Sequence, residues 1–375
     1  MFGYSFTVFV SVFQLLPTAP YRIMEIGGST AAAGLFLGLL TFSSAFSAPF
    51  TGPISDRIGH RPVLIVVSLL LAVFSVSYAF ISNYRIMLAV VVAHGLIWSA
   101  LLSASGAYMT MTIPASRRAE GLGYWGLSSV LAIGAAPALG FWVYKHGWFA
   151  LSVEMAILNL LMASIAWFLP DDRKLQEQAP VPVPGAVRES SIEWRVLFLS
   201  VGMALISFGY GALTSFSALF ADQLQITPRS AFLTAMAFSV LIGRLTIGRT
   251  LDRLGHRRVL LPCLAAPAIG LVLLAVAQGR FTFLLAAIVF GSGFGLMHPA
   301  YTAYVMGHVS PMRRGAAFGA MLAAFDTGIG AGSSVMGWVI HAQGFRVAFA
   351  LAAVVAGLSL PYFLFAERRL GFVRE

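Results

Sequence analysis

Long apolar runs are the feature that most constrains the fold of this chain. Twelve stretches of about 20 predominantly apolar residues follow one another, and that length lets an α-helix cross the roughly 30 Å hydrocarbon core of a bilayer. The alternating pattern of a membrane β-strand is absent from the sequence, which argues against a β-barrel. We therefore predict an all-α membrane protein with twelve transmembrane helices. The predicted spans are residues 2–21, 30–51, 62–82, 86–111, 120–143, 148–169, 195–220, 229–250, 258–278, 281–306, 316–340 and 346–366.

Composition supports the bilayer as the solvent of this chain. Of the 375 residues, 59% are hydrophobic and only 10% are charged, and the mean hydropathy is +0.86. A water-soluble fold of this length needs more charged side chains to cover its surface. The sequence therefore favours a multi-pass membrane protein over a soluble one.

Lysine and arginine are distributed unevenly between the two sides of the predicted bundle. With both termini in the cytoplasm, 18 of the 24 Lys and Arg residues fall on the cytoplasmic side, as the positive-inside rule requires. The net charge of +10 is then explained by topology and by contact with anionic lipid, not by nucleic acid. We expect an inner (plasma) membrane location with cytoplasmic termini.

A charged segment occurs twice, at 52–64 and again at 248–260, an offset of 196 residues. The same offset relates Tyr108 to Tyr304 and Gly134 to Gly330. A register held over this distance indicates an internal duplication, which is common among transporters. The first copy contains Gly52, Asp56, Arg57, Gly59 and Arg61, and the second contains Gly248, Asp252, Arg253, Gly255 and Arg257.

One long polar segment separates the two predicted halves. It begins at Asp171 and contains Pro180, Pro182 and Pro184, and such spacing of prolines is typical of a semi-extended linker. We predict a six-helix N-terminal bundle over 1–170, a cytoplasmic linker over 171–192, and a six-helix C-terminal bundle with a short tail over 193–375.

The paired charged segments resemble the loop signature of the major facilitator superfamily, which reads roughly Gly-x-Leu-Ala-Asp-Arg-x-Gly-Arg-Arg. The resemblance covers nearly the whole chain. It implies two pseudo-symmetric six-helix bundles that alternate access around a central cavity. Segments 293–299, 313–315 and 325–330 look like those of a sugar-efflux-like and drug-efflux-like branch. The chain departs from the drug/proton antiporters of this family at Val91, where they carry an arginine, and in the degraded signature 136–141.

The charges of the repeated segments are candidates for a gate. Asp56 lies where the second span ends, and an ion pair with Arg57 or Arg61 is a contact of about 1–3 kcal/mol that could hold one conformation. Asp252 with Arg253 and Arg257 would form the second latch. The alternative is that these charges only set topology beside a tight glycine turn. Acidic residues contribute little to topology, which favours the gate for Asp56.

Two carboxylates lie inside predicted spans and are candidates for proton coupling. Asp326 is ten residues into the eleventh run, about 15 Å along a helix, and a carboxylate at such a depth is functional by default. Its alternative role is a hydrogen bond to a facing helix beside the glycines that follow it. Glu154, in the sixth run, is the second candidate, although snorkelling or a polar partner is the favoured explanation for it.

Polar and aromatic residues on four predicted spans are candidates to line a substrate cavity. The resemblance implies that the fourth and tenth spans line the central cavity, and a cavity of this composition suits a solute with hydrogen-bonding groups and an apolar body. The alternative for each residue is a contact that holds two helices together. The candidates are Gln14, His94, Trp98, Tyr210, Thr214, His298 and Tyr301.

These features together predict a secondary active transporter of a small organic solute that works by alternating access. Export is favoured, and proton coupling stays an open alternative. An uptake permease of the same fold and a membrane solute sensor are the competing functions. A polytopic membrane enzyme is disfavoured because no nucleophile–base pair or metal-ligand spacing stands out. No Walker loop is present, which disfavours ATP-driven transport by this chain alone. We expect no cofactor. The expected partners are the solute, the bilayer and protons, with the chain acting as a monomer.

Overall fold

The structure is a computed structural model, and it describes residues 1–113, 118–171, 193–254, 256–310 and 313–371. Within helices, the side chains of 118–125, 247–254, 256 and 314–315 are outside the description. The linker predicted over 171–192 lies, from residue 172 onward, outside the described residues.

Helices form the whole regular structure of the described residues, which contain no strand. Each predicted span coincides with one helix, except the last, which Leu358 divides into α12 and α13. The all-α prediction is therefore confirmed. The helices in the described ranges are α1 (Phe2–Glu25), α2 (Thr30–Ile58), α3 (His60–Phe80), α4 (Tyr84–Thr112), α5 (Arg118–Tyr144), α6 (Trp148–Trp167), α7 (Trp194–Gln223), α8 (Ala231–Leu254), α9 (His256–Ala275), α10 (Arg280–His308), α11 (Arg314–Gln343), α12 (Phe345–Gly357) and α13 (Ser359–Arg369).

Most of these helices are long and apolar enough to cross a membrane. Ten segments of the described chain meet that description, with α12 and α13 counted as one segment over Phe345–Arg369. The apolar part of α8, Ala231–Thr246, is shorter. The glycine-rich α11, which carries Asp326, is not among the ten.

The duplication read from the sequence appears in the helix boundaries and in the packing. Helices α3 and α9 begin at His60 and His256, and α4 and α10 begin at Tyr84 and Arg280, so that both pairs keep the offset of 196. Within the first half α1 packs on α5 and α3 on α6, and within the second half α7 packs on α11 and α9 on α12. Each half therefore repeats one arrangement of six spans.

The chain divides into two compact units that do not follow the sequence halves at every point. One unit comprises Met1–Gly28 with Leu39–Val187, and the other comprises Ser29–Gly38 with Arg188–Glu375. The start of α2 belongs to the second unit, where the Ser333 hydroxyl donates to the Gly34 carbonyl at 2.9 Å.

The first charged segment is a helix end and not a loop. Helix α2 continues through Asp56 and Arg57 to Ile58, and α3 begins at His60. Gly59 alone connects them with a φ of 99°, a conformation that glycine adopts without the penalty of a Cβ. Gly52, a second glycine of the motif, lies inside α2 with no heavy atom within 4 Å of an added Cβ, so this structure gives no steric reason for glycine there.

Candidate functional site

At the charged end of the N-terminal unit, Asp56 lies beside a histidine. The Asp56 carboxylate is 69% exposed and lies 3.9 Å from His60 Nε2, while His60 Nδ1 is 2.8 Å from the Ser55 hydroxyl. Arg61 donates to the Trp167 carbonyl at 2.5 Å. The sequence predicted an ion pair of Asp56 with Arg57 or Arg61, and the structure places His60 in that position.

At the corresponding end of the C-terminal unit, a fully buried carboxylate holds two partners. Arg257 donates from Nε and Nη2 to the two oxygens of Glu367, at 2.8 and 3.1 Å. The Tyr304 hydroxyl donates to Glu367 Oε1 at 2.5 Å. Arg257 was a predicted gate residue, and Glu367 was not. The signal that could have found Glu367 is the offset of 196, which relates it to Asp171.

Several predicted gate residues of the second copy cannot be placed in contacts. Gly248, Asp252 and Arg253 belong to α8, and their surroundings are outside the description. Gly255 lies outside the described residues altogether. The second latch of Asp252 with Arg253 and Arg257 therefore stays a prediction, and the partner that the structure gives Arg257 is Glu367.

Two candidates from different lists are hydrogen-bonded to each other in the N-terminal unit. Gln14 of α1, which is fully buried, donates from Nε2 to Glu154 Oε2 of α6 at 2.5 Å. A Cβ on Gly140 of α5 would meet Gln14 Cβ at 2.7 Å, so only a glycine permits this close approach. Glu154 therefore has the polar partner that the sequence offered as one of its two explanations.

His94 and Trp98 come together at a small cavity inside the same unit. The space inside the cavity that the centre of a water molecule can occupy is about 10 Å³. This is room for one water molecule. His94 Nδ1 is 3.1 Å from the Tyr78 hydroxyl, and Asn159 donates to the Ser75 hydroxyl at 2.9 Å. This cavity suits a bridging water and is too small for an organic solute. Its polar and aromatic lining residues are Ser11, Ser75, His94, Trp98 and Asn159.

In the C-terminal unit, aromatic rings from three helices form a continuous surface, which we call the aromatic wall. Phe294 stacks on Tyr210 with centroids 4.4 Å apart and lies 6.1 Å from Phe325. His298 meets Phe325 edge-on at 5.6 Å. Phe294, His298 and Phe325 are half-buried, so each keeps some exposed surface. The wall consists of Tyr210, Phe294, His298, Phe318 and Phe325.

The two remaining cavity candidates make local contacts. Thr214 donates to the Tyr210 carbonyl one turn earlier, at 2.8 Å. Tyr301 is fully buried in the core of the C-terminal unit, and its hydroxyl donates to the Leu199 carbonyl at 2.6 Å. Tyr301 therefore packs α10 against α7 in this structure.

Asp326 follows Phe325 of the wall directly and is half-buried in α11. None of the hydrogen bonds or ion pairs of the described residues includes its carboxylate. On its helix it shares a face with Gly330, Ser333 and Gly337, because these positions are three or four residues apart. The hydrogen bond to a facing helix, which the sequence offered as the alternative role, is not formed by the described residues.

Arg244 lies beside the aromatic wall. From the sequence it was only one of the 18 Lys and Arg residues placed on the cytoplasmic side. It lies within the apolar stretch Ala231–Thr246 of α8 and donates from Nε to the Gly295 carbonyl of α10 at 3.3 Å. The signal that could have found it is its place inside the eighth apolar run. In the described part of the chain, no group of three or more His, Cys, Asp or Glu residues could hold a metal ion.

Comparison with known sequences decides the family. The sequence profile described as Major Facilitator Superfamily matches residues 1–244 and 199–371. The chain belongs to the Major Facilitator Superfamily. Its relatives in this superfamily include an MFS-type transporter of Pseudomonas aeruginosa, 25% identical over 92% of this chain and 87% of the relative. The MFS-type transporter YhhS of Escherichia coli is 24% identical over 95% of this chain and 89% of the relative.

Solved structures of this superfamily share the fold. The nucleoside transporter NupG matches with a TM-score of 0.77 and 18% identity over 97% of each chain. A bacterial homologue of the human lysosomal transporter Spinster matches with a TM-score of 0.76 and 16% identity, over 100% of this chain and 96% of that one. The twelve-helix fold predicted from the sequence is thus confirmed. Family and fold make the chain a multi-pass membrane protein of a transporter class, which is not a class of enzymes.

Proposed function

We propose that this member of the superfamily exports a small organic solute across the inner membrane in exchange for protons, by alternating access between its two bundles. Asp326 binds and releases the proton. The aromatic wall holds the apolar body of the solute. Asp56 and its neighbours at the α2–α3 turn, with Arg257 on the other unit, stabilise one conformation of the cycle.

The observation that carries the proposal is the environment of Asp326. A carboxylate inside a membrane helix is expensive and is kept where it faces a partner, a cavity or a proton path. The described residues give Asp326 no hydrogen-bond partner, whereas Glu154 accepts a hydrogen bond from Gln14. Of the two candidates, Asp326 is therefore the one whose carboxylate is available to exchange a proton during the cycle.

The aromatic wall supports the choice of an organic solute. Aromatic faces provide large apolar contact area, and ligand pockets are lined mainly by such side chains with a few polar groups among them. His298 supplies a hydrogen-bonding ring within the wall. A sugar without an apolar face would gain less from this surface than an amphiphilic metabolite.

The test is transport by the purified chain in reconstituted vesicles, with and without a pH gradient, across a panel of sugars, amphiphilic drugs and metabolites. We expect gradient-driven flux of at least one organic solute, and Asp326→Asn to reduce it by about tenfold or more, because the amide cannot carry a proton. Solute exchange at equal pH should survive in that variant.

Two further variants separate Asp326 from carboxylates in general. Asp222→Asn removes an exposed carboxylate that pairs with Arg229 at the end of α7, and it should leave coupled flux unchanged. Glu154→Gln tests the other intramembrane carboxylate and should retain coupling. Flux that ignores the pH gradient in the wild type would remove the proton from the proposal, and binding without any flux would favour a sensor. Inward movement driven by the gradient would favour uptake.

A further inference from the structure

A cation lies inside the apolar part of α8, beside the aromatic wall. Arg244 lies ten residues before the end of α8 at Leu254, about 15 Å along the helix axis. His298 lies ten residues before the end of α10, at the same end of the bundle. Arg244 lies inside the apolar stretch Ala231–Thr246, two residues before its end, and an ionisable residue inside an apolar span is a functional candidate by default.

Packing between α8 and α10 fixes the position of the guanidinium. A Cβ on Gly291 or Gly295 would collide with Met236 or Val240, so the two helices touch where these glycines lie. One turn beyond Val240, Arg244 reaches the Gly295 carbonyl through Nε. Gly295 is the residue after Phe294, and His298 follows on the next turn of α10. The charge is thus held against the wall and does not extend to the helix end.

The C-terminal unit alone carries this combination. At the offset of 196, Arg244 corresponds to Ala48 and His298 to Leu102. Neither counterpart bears a charge or a hydrogen-bonding side chain. If Arg244 and His298 served only helix topology or the packing that both halves share, we would expect the first half to carry similar residues at Ala48 and Leu102.

We propose that Arg244 and His298, together with Phe294 and Phe325, form a binding site for a small organic anion that carries an aromatic or other planar ring. A guanidinium is a planar fork that pairs with carboxylate, sulfonate or phosphate oxygens through charge-assisted hydrogen bonds. The half-buried rings of Phe294 and Phe325 stack on the planar part of the ligand. This assignment names the substrate class of the proposed transporter and rests on that proposed function.

The experiment measures binding to purified, full-length protein in lipid nanodiscs by isothermal titration calorimetry. Three ring compounds of matched shape serve as probes: benzenesulfonate as the anion, benzenesulfonamide as its neutral counterpart, and phenyltrimethylammonium as the cation. We expect benzenesulfonate to bind at least about tenfold more tightly than the other two, since a charge-assisted pair exceeds the 1.4 kcal/mol that a tenfold change represents.

Variants locate the site on the wall. Arg244→Gln should weaken benzenesulfonate binding by about tenfold or more, Arg244→Lys should weaken it less, and Phe294→Leu should weaken all three ring compounds together. The matched control is Arg280→Gln, which removes an exposed arginine from the first turn of α10 and should leave the affinities unchanged. Elution as a single species in size-exclusion chromatography checks that each variant is folded.

Several outcomes would overturn the anion site. These are equal affinity for the three probes, preference for the cation, absence of benzenesulfonate binding to the wild type, or unchanged binding in Arg244→Gln. The comparison of the three probes uses only the wild-type protein. It can therefore overturn the anion site even if a variant fails to fold. Proton-coupled flux of neutral or cationic solutes, with no anion binding, would remove the anion site and leave the transporter proposal standing.

Discussion

The two charged ends, one in each unit, carry corresponding residues but form different contacts. Arg61, Tyr108 and Asp171 in the first half correspond at the offset of 196 to Arg257, Tyr304 and Glu367. In the second half the arginine and the tyrosine both bind the buried Glu367 carboxylate. In the first half they donate to backbone carbonyls at the end of α6: Arg61 to Trp167, and Tyr108 to Pro170 at 2.9 Å.

The two halves also differ at positions in the middle of their helices, where polar residues of one half correspond to apolar residues of the other. The hydrogen-bonded residues of the first half correspond to apolar residues in the second: Ser75 to Leu271, Tyr78 to Leu274, His94 to Phe290 and Asn159 to Val355. Conversely, Phe325 of the aromatic wall corresponds to Ser129, and His298 corresponds to Leu102. Duplication has kept the backbone register while the two interiors acquired different chemistry.

The two halves therefore use their charged ends and their interiors differently. The second half fixes its charged end with a buried ion pair and leaves its aromatic wall half-exposed. The first half joins its helices internally by hydrogen bonds and leaves Asp56 largely in solvent. We therefore expect charge removal at the N-terminal turn to affect the conformational cycle, and charge removal at Glu367 to affect stability.

The largest effect is expected at Asp56. Asp56→Asn should reduce transport by about tenfold or more without lowering thermal stability, because the exposed Asp56 carboxylate contributes little to the folded state, whereas a contact made in one state of the cycle shifts the conformational equilibrium. Vesicle flux and apparent Tm, measured on the same preparation, check both parts. Asp56→Glu keeps the charge and should retain most of the flux. Normal flux in Asp56→Asn would show that the turn is only topological.

Glu367 should instead control stability. Removing one partner of a buried pair leaves an uncompensated charge, but Arg257 is 44% exposed, so we expect Glu367→Ala to destabilise by about 2 kcal/mol, below the 3–5 of a fully buried pair. The matched change is Asp171→Ala, on the exposed counterpart, which should cost less than about 0.5 kcal/mol. Denaturant unfolding in detergent measures both, and equal losses would contradict the difference between the ends.

The sequence was sufficient to locate the helices and the duplication. Apolar runs of span length can satisfy their backbone groups in lipid only as helices, and the repeated segment fixed the correspondence of the halves. The end of α2 was missed, because apolarity stops near Thr51 while the helix continues to Ile58. Backbone hydrogen bonds, not side-chain apolarity, decide where a helix ends, so α2 continues beyond its apolar run.

The candidate site was less accessible to sequence reasoning. Asp326, Tyr210 and His298 were named from the sequence because polar side chains stand out inside apolar runs, whereas Phe294, Phe318 and Phe325 were missed because phenylalanine does not. Glu367 and Arg244 were missed because each looks like an end charge, and only packing shows that Glu367 is buried and that Arg244 reaches Gly295. Burial and partners depend on contacts between distant segments, which a single sequence does not specify.

The smallest effect is expected inside the N-terminal unit, at the pair His94 and Tyr78. Replacing His94 by its counterpart from the second half, His94→Phe, and combining it with Tyr78→Phe gives a double-mutant cycle. We expect a coupling energy of about 0.6 kcal/mol, the average for hydrogen bonds between membrane helices. A cycle of His94→Phe with Tyr4→Phe serves as control, because Tyr4 bonds to Ser68 and not to His94. If the two cycles gave the same coupling, the hydrogen bond between Tyr78 and His94 would contribute nothing that the apolar counterparts Leu274 and Phe290 lack, and the difference between the halves at this point would be one of composition alone.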